Sequence, residues 1–129
     1  VEHDDLGRAH LVNRLSRGHV VTLCPDQQPR LRGGIFVPFF GISALTTKIL
    51  PELLRETGAD LVIGSAQWQG KKYQISLERV EYDPGSTDEE LLLAINRQLE
   101  TTINQDPQSY RWSDKRFNIQ PLGRPKIYR

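Results

Sequence analysis

The chain has 129 residues, a length at which a single domain buries roughly two thirds of the surface that its unfolded form exposes. Its 37% content of hydrophobic residues is typical of a soluble domain, and no apolar run approaches the ~18 residues that span a bilayer. Seventeen Lys and Arg against sixteen Asp and Glu give a net charge of +1. This composition argues against a spanning segment in these residues and against a strongly basic nucleic-acid-binding domain.

The single cysteine, Cys24, excludes an internal disulfide and lies in the apolar run VVTLC. A buried packing role and a reducing compartment are the interpretations that this favours. The sequence begins with VEHDD, contains no Met and has no signal segment with a basic start and an apolar centre. We therefore expect the chain to be a piece of a longer protein.

The first two predicted elements are a helix and a strand. Apolar residues recur every three to four positions from Asp5 to Arg17, which predicts an amphipathic helix that Gly18 ends. Residues 19–24, HVVTLC, are a continuous β-branched and apolar run followed by Pro25. This pattern predicts a strand buried on both faces.

The next segment, residues 23–41, reads LCPDQQPRLRGGIFVPFFG and is longer and more apolar than a connecting turn requires. Pro38 and Gly41 interrupt its three Phe residues, which excludes a regular strand with all three rings on one face. After it, the apolar spacing predicts a helix from Ala44 to Thr57. Pro51 conflicts with that helix and is expected to kink it or to split it in two.

Two strands and a helix follow. LVIGSAQW (61–68) and YQISLERV (73–80) flank the turn QGKK and predict a hairpin. Thr87 with Glu90 three residues later is a capping-box pattern, which predicts a helix to about Gln105.

The remaining predictions concern the C-terminus and the fold class. Residues 108–117 are predicted to form a short helix, and the Pro-rich end is expected to be extended. A strand, a helix and a strand over residues 19–68 predict a right-handed parallel crossover, to which 73–80 adds an antiparallel strand. The predicted class is α/β, a fragment of a mixed sheet flanked by helices. Apolar strands in so small a sheet are expected to need further strands beside them. This agrees with the expectation that part of the protein's sequence is missing.

The loop after the first predicted strand carries charges suited to an anion. Asp26 stands first in it, and Arg30 and Arg32 bring two fixed positive charges. Gly33 and Gly34 allow the backbone to approach a ligand closely or to adopt positive φ. Because the planar fork of arginine matches phosphate oxygens, a phosphorylated ligand is the functional interpretation. The alternative is a solvated turn, in which such charges contribute little.

Aromatic residues supply the other chemistry of the sequence. Phe36, Phe39 and Phe40 are either core packing or the apolar wall of a groove that holds an acyl chain beside a phosphate head group. Residues 110–117, YRWSDKRF, interleave aromatic and cationic side chains. This mixture is typical of a lipid head-group surface or a single-stranded nucleic-acid site, and equally of a helix with Trp112 buried.

Histidines and common motifs point to no further chemistry. His3, His10 and His19 have no partner spacing that suggests a metal site or a catalytic pair, so we interpret them as surface or helix residues. The sequence contains no GxSxG, Walker, HExxH or GxGxxG motif.

Several of these segments stand in an order that resembles the lipid A biosynthesis acyltransferases, the lauroyl and myristoyl transferases of Gram-negative lipopolysaccharide assembly. The segments are VVTLCPDQ, RGGIFVPFFG, ALTTKILPELLRETGA, the strand pair, and YRWSDKRF followed by PLGRPKIY. The resemblance is to the C-terminal part of that family and covers the chain from about Leu15 to Arg129. The residues that match its motifs are Asp26, Arg32, Phe36, Pro38, Phe39, Trp112, Arg116 and Phe117.

The resemblance implies the lysophospholipid/glycerolipid acyltransferase fold. It also implies transfer of a fatty acyl group from acyl carrier protein to a hydroxyl of a lipid A precursor, with no other cofactor and no metal. The implied location is the cytoplasmic face of the inner membrane, reached through an N-terminal anchor outside this sequence. Residues 1–129 would be the C-terminal portion of one acyltransferase domain, soluble by itself and without a nucleic-acid partner. The expected substrate-binding residues are Asp26, Arg30, Arg32, Gly33, Phe36, Phe39, Phe40 and Arg116.

The catalytic pair of that family is a His, the general base, followed five positions later by an acidic residue. The residues five positions after the three His of this sequence are Arg8, Leu15 and Cys24. The pair is therefore absent, and we expect the chain alone to be inactive. Asp114, where the family often has a basic residue or His, marks a divergent member. The alternative function is a non-catalytic module that binds an anionic lipid or a phosphate.

Overall fold

A computed structural model describes residues 5–128, except for the side chain of Asp5. Within this range the chain forms three α-helices and two antiparallel hairpins, which confirms the α/β class. The elements are α1 (Asp5–Ser16), β1 (Gly34–Phe39), β2 (Ile42–Thr47), α2 (Ile49–Thr57), β3 (Leu61–Trp68), β4 (Tyr73–Val80) and α3 (Asp88–Gln105).

The Phe-rich segment forms β1, which pairs with β2 over six residue pairs. Phe40 and Gly41 join the two strands, and their φ values of 48° and 74° are both in the left-handed region. Positive φ at both positions is typical of a type I′ turn, whose twist matches that of an antiparallel hairpin. The predicted helix from Ala44 is therefore wrong at its start, because residues 44–47 pair with β1 as a strand.

Helix α2 begins only at Ile49, and this removes the conflict over Pro51. Pro51 is the third residue of the helix, in the first turn, where a backbone N–H would have no partner within the helix. Gly58 ends the helix with φ 63°, and its N–H donates to the Leu54 carbonyl at 2.9 Å. The helix is therefore neither kinked nor split.

The second hairpin, β3–β4, is confirmed as predicted, with all eight residues of each strand paired. One face of it is partly buried through Leu61 and Ile63. The other face is apolar and exposed, because side chains alternate along a strand and no described element covers that side. Its large exposed side chains are Val62, Trp68, Tyr73, Ile75 and Leu77.

Residues 19–24 form no strand, so the predicted strand and the parallel crossover are wrong. A strand needs a neighbour to satisfy its backbone hydrogen bonds, and each described strand pairs only with its own hairpin partner. Val20 is 91% exposed, whereas Leu23 packs against the core. Cys24 is exposed as well, so its predicted burial is wrong for the same reason.

Helix α3 begins with the predicted capping box. The Thr87 side chain accepts from the Glu90 N–H, and the Glu90 carboxylate accepts from the Thr87 N–H. Asn96, fully buried on this helix, donates from Nδ2 to the Pro38 carbonyl at 2.9 Å and so fixes β1 against α3. The core that these elements share consists of Val37, Leu50, Leu54, Leu61, Leu91, Leu92 and Ile95.

The segment after α3 is irregular, so the helix predicted over 108–117 is wrong. Only Pro107–Ser109 forms a 3-10 turn, and Lys115 has φ 34°, which a right-handed helix excludes. Trp112 is 54% exposed rather than buried, and its Nε1 donates to the Pro107 carbonyl at 2.8 Å. No helix among the described residues is long and apolar enough to cross a membrane.

Candidate substrate-binding site

The loop that follows Cys24 and the C-terminal segment pack together, although more than 80 residues separate them in sequence. The Gln28 side chain accepts from the Ile119 N–H at 2.7 Å. Gln120 donates from Nε2 to the Ser43 carbonyl on β2 at 2.9 Å. These bonds hold the residues just after YRWSDKRF against the PDQQ loop and β2, and a side-chain hydrogen bond between Tyr110 and Asp26 joins YRWSDKRF to the loop directly.

Arg116 holds the C-terminal segment against β2. Its guanidinium donates from Nη1 to the Leu45 carbonyl at 2.5 Å and from Nη2 to Thr46 Oγ1 at 2.7 Å. It also lies 5.5 Å from the centre of the Phe39 ring, within range of a cation–π contact. Arg116 is only 4% exposed. Because its charge faces the interior, we assign it a positioning role in the site rather than the direct substrate contact expected from the sequence.

Asp26 and Tyr110 interact electrostatically with Arg116. Burial raises the pKa of Tyr110, and the Asp26 carboxylate raises it further through its charge and a side-chain hydrogen bond, against a smaller opposing effect of Arg116. Burial lowers the pKa of Arg116, while Tyr110 and Asp26 oppose that shift. Tyr110 therefore stays protonated and can donate its hydroxyl to Asp26, which fixes the carboxylate at the start of the loop.

Two tyrosines with raised pKa values predict how stability changes at high pH. Folding raises the pKa of Tyr110 and, mainly through burial, that of Tyr82. Above about pH 10 the unfolded chain therefore loses tyrosine protons that the folded chain retains, so stability is full below that pH and falls above it. Thermal unfolding followed from about pH 8 to about pH 11 should show this fall. Tyr110→Phe should make it shallower, and an unchanged slope would contradict the raised pKa of Tyr110.

Five rings form a cluster where the C-terminal segment meets the tip of the β1–β2 hairpin. Ring centres are 6.2 Å apart for Phe39 and Phe117, 5.9 Å for Phe40 and Trp112, and 4.8 Å for Tyr110 and Trp112. Phe39 is 1% exposed and belongs to the core, whereas Phe40 is half-buried and Trp112 is exposed. We call Phe39, Phe40, Tyr110, Trp112 and Phe117 the aromatic cluster.

Phe40 occupies an unfavourable backbone position within this cluster. A bulky residue at φ 48° is an outlier, and such outliers persist only where the surroundings impose them. The Phe40 N–H donates to the Glu100 carboxylate at 2.7 Å, which ties the turn to α3. Asn or Gly would suit these turn positions better, so the ring contacts of Phe40 with Phe39 and Trp112 offset part of the backbone cost.

The arginines of the loop lie at the opposite end of β1. Arg32 is exposed and forms no ion pair with any described residue, and Arg30 is exposed beside it. Gly33 is buried in the 3-10 turn that precedes β1. Gly34 is extended, and a Cβ there would lie 2.7 Å from the Thr46 carbonyl oxygen. The space at Gly34 is therefore used by the neighbouring strand, and not by a ligand as the sequence suggested.

The predicted site is thus brought together only in part. Asp26, Phe39, Phe40 and Arg116 lie near one another, and Tyr110 lies among them. Tyr110 was not among the predicted substrate-binding residues; the sequence pointed to it only as one of the aromatic residues of YRWSDKRF. Phe36 is half-buried and outside the aromatic cluster. Five residue steps of β1, about 17 Å, separate the start of that strand near Arg32 from Phe39 at its end.

The described histidines lie on the surface, in agreement with their interpretation from the sequence. His10 and His19 are exposed, and His19 Nδ1 lies 3.2 Å from the Arg14 carbonyl oxygen. His3 lies outside the described residues. Between residues 5 and 128, no group of three or more His, Cys, Asp and Glu side chains is arranged to hold a metal ion.

A family model described as bacterial lipid A biosynthesis acyltransferase matches residues 6–118. The chain belongs to this family.

Individual relatives agree with this assignment. The chain is 34% identical over 122 residues to the lipid A biosynthesis lauroyltransferase of Escherichia coli (strain K12), covering 92% of this chain and 40% of the relative. It is 31% identical over 132 residues to the lipid A biosynthesis palmitoleoyltransferase of the same organism, covering 95% and 42%. The lipid A biosynthesis acyltransferase of Shigella flexneri matches with the same identity and coverage. The chain thus spans about two fifths of the length of these relatives.

Proposed function

We propose that this chain is the C-terminal, substrate-binding portion of an acyltransferase domain that moves a fatty acyl group from acyl carrier protein to a hydroxyl of a lipid A precursor. The observation that carries the proposal is the family match over residues 6–118. The arrangement of the site supports it, because a solvent-facing Arg32 and the exposed Trp112 beside the half-buried Phe40 offer one surface to a charged group and another to an acyl chain.

The reaction divides between this chain and a part outside its sequence. The acceptor hydroxyl attacks the thioester carbonyl, its proton passes to a general base, and the carrier thiol leaves with a proton in its turn. The His and acidic pair expected for that step is absent here, so we place it in an upstream segment together with an anchor to the cytoplasmic face of the inner membrane. This chain then holds the acceptor: Asp26 and Arg116 fix the loop, and Arg32 binds a phosphate. Acyl carrier protein supplies the acyl group, and no further cofactor is required.

Removal of the Arg32 charge tests this division of labour. In a polypeptide that joins this chain to the upstream catalytic pair, Arg32→Ala should raise the KM for the lipid A precursor about ten- to a hundredfold, because a charged hydrogen bond to phosphate contributes roughly 1.5–3 kcal/mol. The kcat should change little, since that bond forms in the ground state and the transition state alike. Steady-state acyl transfer from acyl carrier protein provides the measurement.

Two controls accompany this experiment. Arg97→Ala removes an exposed arginine of α3 that forms no ion pair with a described residue, and it should leave KM unchanged. The 129-residue chain alone should transfer no acyl group, and detectable transfer by it would overturn the division between the two parts. A joined polypeptide that binds the precursor but transfers nothing would favour the non-catalytic module.

A further inference from the structure

One side of the β3–β4 hairpin is uncovered and almost entirely apolar. Residues paired across an antiparallel sheet project to the same side of it. Ile75 and Leu77 are neighbours on this side and are 71% and 72% exposed. Soluble domains rarely expose apolar side chains in a continuous row, and such rows mark contact surfaces. We call this side the hairpin face, and its paired residues are Val62 and Arg79, Gly64 and Leu77, Ala66 and Ile75, and Trp68 and Tyr73.

The charges of the hairpin are directed away from this face or paired at its base. Glu78 is the one carboxylate in the two strands, and on the opposite side it accepts from Gln98 Nε2 of α3 at 2.7 Å. Arg79, at the base of the hairpin, donates to the Asp60 carboxylate at 2.8 Å and lies 3.4 Å from that of Glu81. The hairpin face therefore has the composition of a layer that another part of a protein covers.

The outer edge of β3 is free as well. Each described strand pairs only with its own hairpin partner, so the backbone groups on the far side of β3 have no neighbouring strand among the described residues. β3 contains no charged residue, and inner strands of a sheet are apolar in this way. β4 carries Glu78 and Arg79, and charges are typical of a strand that stays at the edge. A further strand is therefore expected beside β3 and not beside β4.

The polypeptide outside this chain is long enough to supply both the cover and the strand. The chain spans about two fifths of the length of its relatives, although 92% and 95% of its own residues are matched. A two-stranded sheet is marginally stable by itself, and further strands with an apolar face complete it. A bilayer would suit the apolar side chains but not the free backbone groups of β3, because lipid tails offer no hydrogen bonds.

We propose that the hairpin face is the surface on which the upstream portion of the same polypeptide packs, with one of its strands paired to the outer edge of β3. The proposal deepens the proposed function, on which it rests for an upstream portion that carries the catalytic pair. It assigns the contact between the two portions to the hairpin and not to the aromatic cluster.

The first test measures how accessible the hairpin face is to a thiol reagent. Cys24→Ser removes the exposed native thiol, and Leu77→Cys or Gln74→Cys then places one on the hairpin face or on the opposite side of β4. Mass spectrometry follows maleimide labelling at each position in this chain and in the joined polypeptide. Leu77→Cys should label at least about tenfold more slowly in the joined polypeptide, whereas Gln74→Cys should label equally in both. Equal rates for Leu77→Cys would overturn the proposal.

The same labelling identifies two other occupants. Protection of Leu77→Cys in the 129-residue chain that disappears on dilution would assign the hairpin face to a second copy. Protection in the joined polypeptide that appears only when phosphatidylglycerol vesicles are added would assign it to a lipid surface. Either result would overturn the proposal.

The second test compares one substitution in two contexts. Leu77→Glu should lower the Tm of the joined polypeptide by about 5 °C or more, because a carboxylate would be buried at an apolar contact. In the 129-residue chain the shift should stay below about 3 °C, since the side chain is exposed there. Gln74→Glu adds the same charge on the opposite side and should have a small effect in both. If Leu77→Glu prevents folding of the joined polypeptide, Leu77→Ala gives the same comparison, and equal shifts in the two contexts would contradict the contact.

Residue-resolved hydrogen exchange tests the strand pairing. Alternate backbone amides of β3 point away from β4 and should exchange quickly in the 129-residue chain. In the joined polypeptide they should exchange at least about a hundredfold more slowly, while the outward amides of β4 remain fast. Slowed exchange at the outer edge of β4 instead, or at neither edge, would show that the pairing with β3 is wrong.

The outcomes also separate this proposal from the proposed function. Protection of Leu77→Cys in a joined polypeptide that transfers no acyl group would keep the contact and remove the proposed function. Acyl transfer by a joined polypeptide whose hairpin face is unprotected would do the reverse.

Discussion

Replacing Arg116 with alanine is expected to lower the free energy of unfolding by about 3 kcal/mol or more. The guanidinium of this buried side chain supplies hydrogen bonds to the Leu45 carbonyl and to Thr46 Oγ1, and both acceptors would lose this donor in the interior, although Thr46 Oγ1 keeps its own bond to the Ala44 carbonyl. The cation over the Phe39 ring and the positive charge beside Asp26 would be lost with it. Urea unfolding at neutral pH, followed by Trp fluorescence, measures the change.

Two other variants serve as comparisons for Arg116→Ala. Arg116→Lys keeps the charge but cannot reach both acceptors with a planar fork, so an intermediate loss is expected. Arg97→Ala, which removes an exposed arginine, should change stability by less than about 0.5 kcal/mol. If Arg116→Ala were as stable as the Arg97 variant, the positioning role would be wrong and Arg116 would return to the substrate-contacting set.

The elements that the sequence predicted correctly are those whose signals are local. The capping box of Thr87 and Glu90 and the apolar spacing after it specify α3 without reference to the rest of the chain. The hairpin of residues 61–80 combines two β-rich runs with a short turn, and its register follows from that turn. Helix α1 ends within one residue of its predicted end, just before Gly18 at φ 77°.

The incorrect predictions concern segments whose structure depends on pairing with another part of the chain. Residues 19–24 have the composition of a buried strand, but composition cannot supply the strand that would pair with them. Residues 44–47 were predicted to begin a helix because the turn before β2, Phe40–Gly41, has no sequence signature: a Phe at positive φ is too rare to predict. Once that turn forms, strand pairing overrides the helical spacing of residues 44–47.

For the candidate site too, the sequence predicted the types of residue involved but not their positions in the fold. The sequence indicated that arginines, an aspartate and phenylalanines matter in the loop, because these residue types suit a charged amphiphile. It could not indicate which arginine faces solvent. Arg32 does, whereas Arg116 is turned inward by acceptors on β2 that are some 70 residues away in sequence. Burial of that kind depends on tertiary packing and leaves no local pattern.

Phe39→Ala is expected to lower the free energy of unfolding by about 3–5 kcal/mol, comparable to the effect at Arg116. The ring is 1% exposed and contacts Phe40, Tyr110 and Phe117, so its removal leaves a cavity at the junction of the β1–β2 hairpin and the C-terminal segment. The guanidinium of Arg116 would also lose the ring that it faces. Calorimetric Tm and urea unfolding provide the measurements.

Phe36→Ala is the matched control, because this residue lies on the same strand but is half-buried and outside the aromatic cluster. It should cost clearly less than Phe39→Ala, since less surface is buried and no ring contacts are lost. In the joined polypeptide, Phe40→Ala should leave stability closer to wild type while weakening use of the lipid acceptor, because its ring is less buried than that of Phe39 and contacts the exposed Trp112. Equal stability losses for Phe36→Ala and Phe39→Ala, with no kinetic effect at Phe40, would reduce the aromatic cluster to ordinary core packing and leave the acyl-facing surface unassigned.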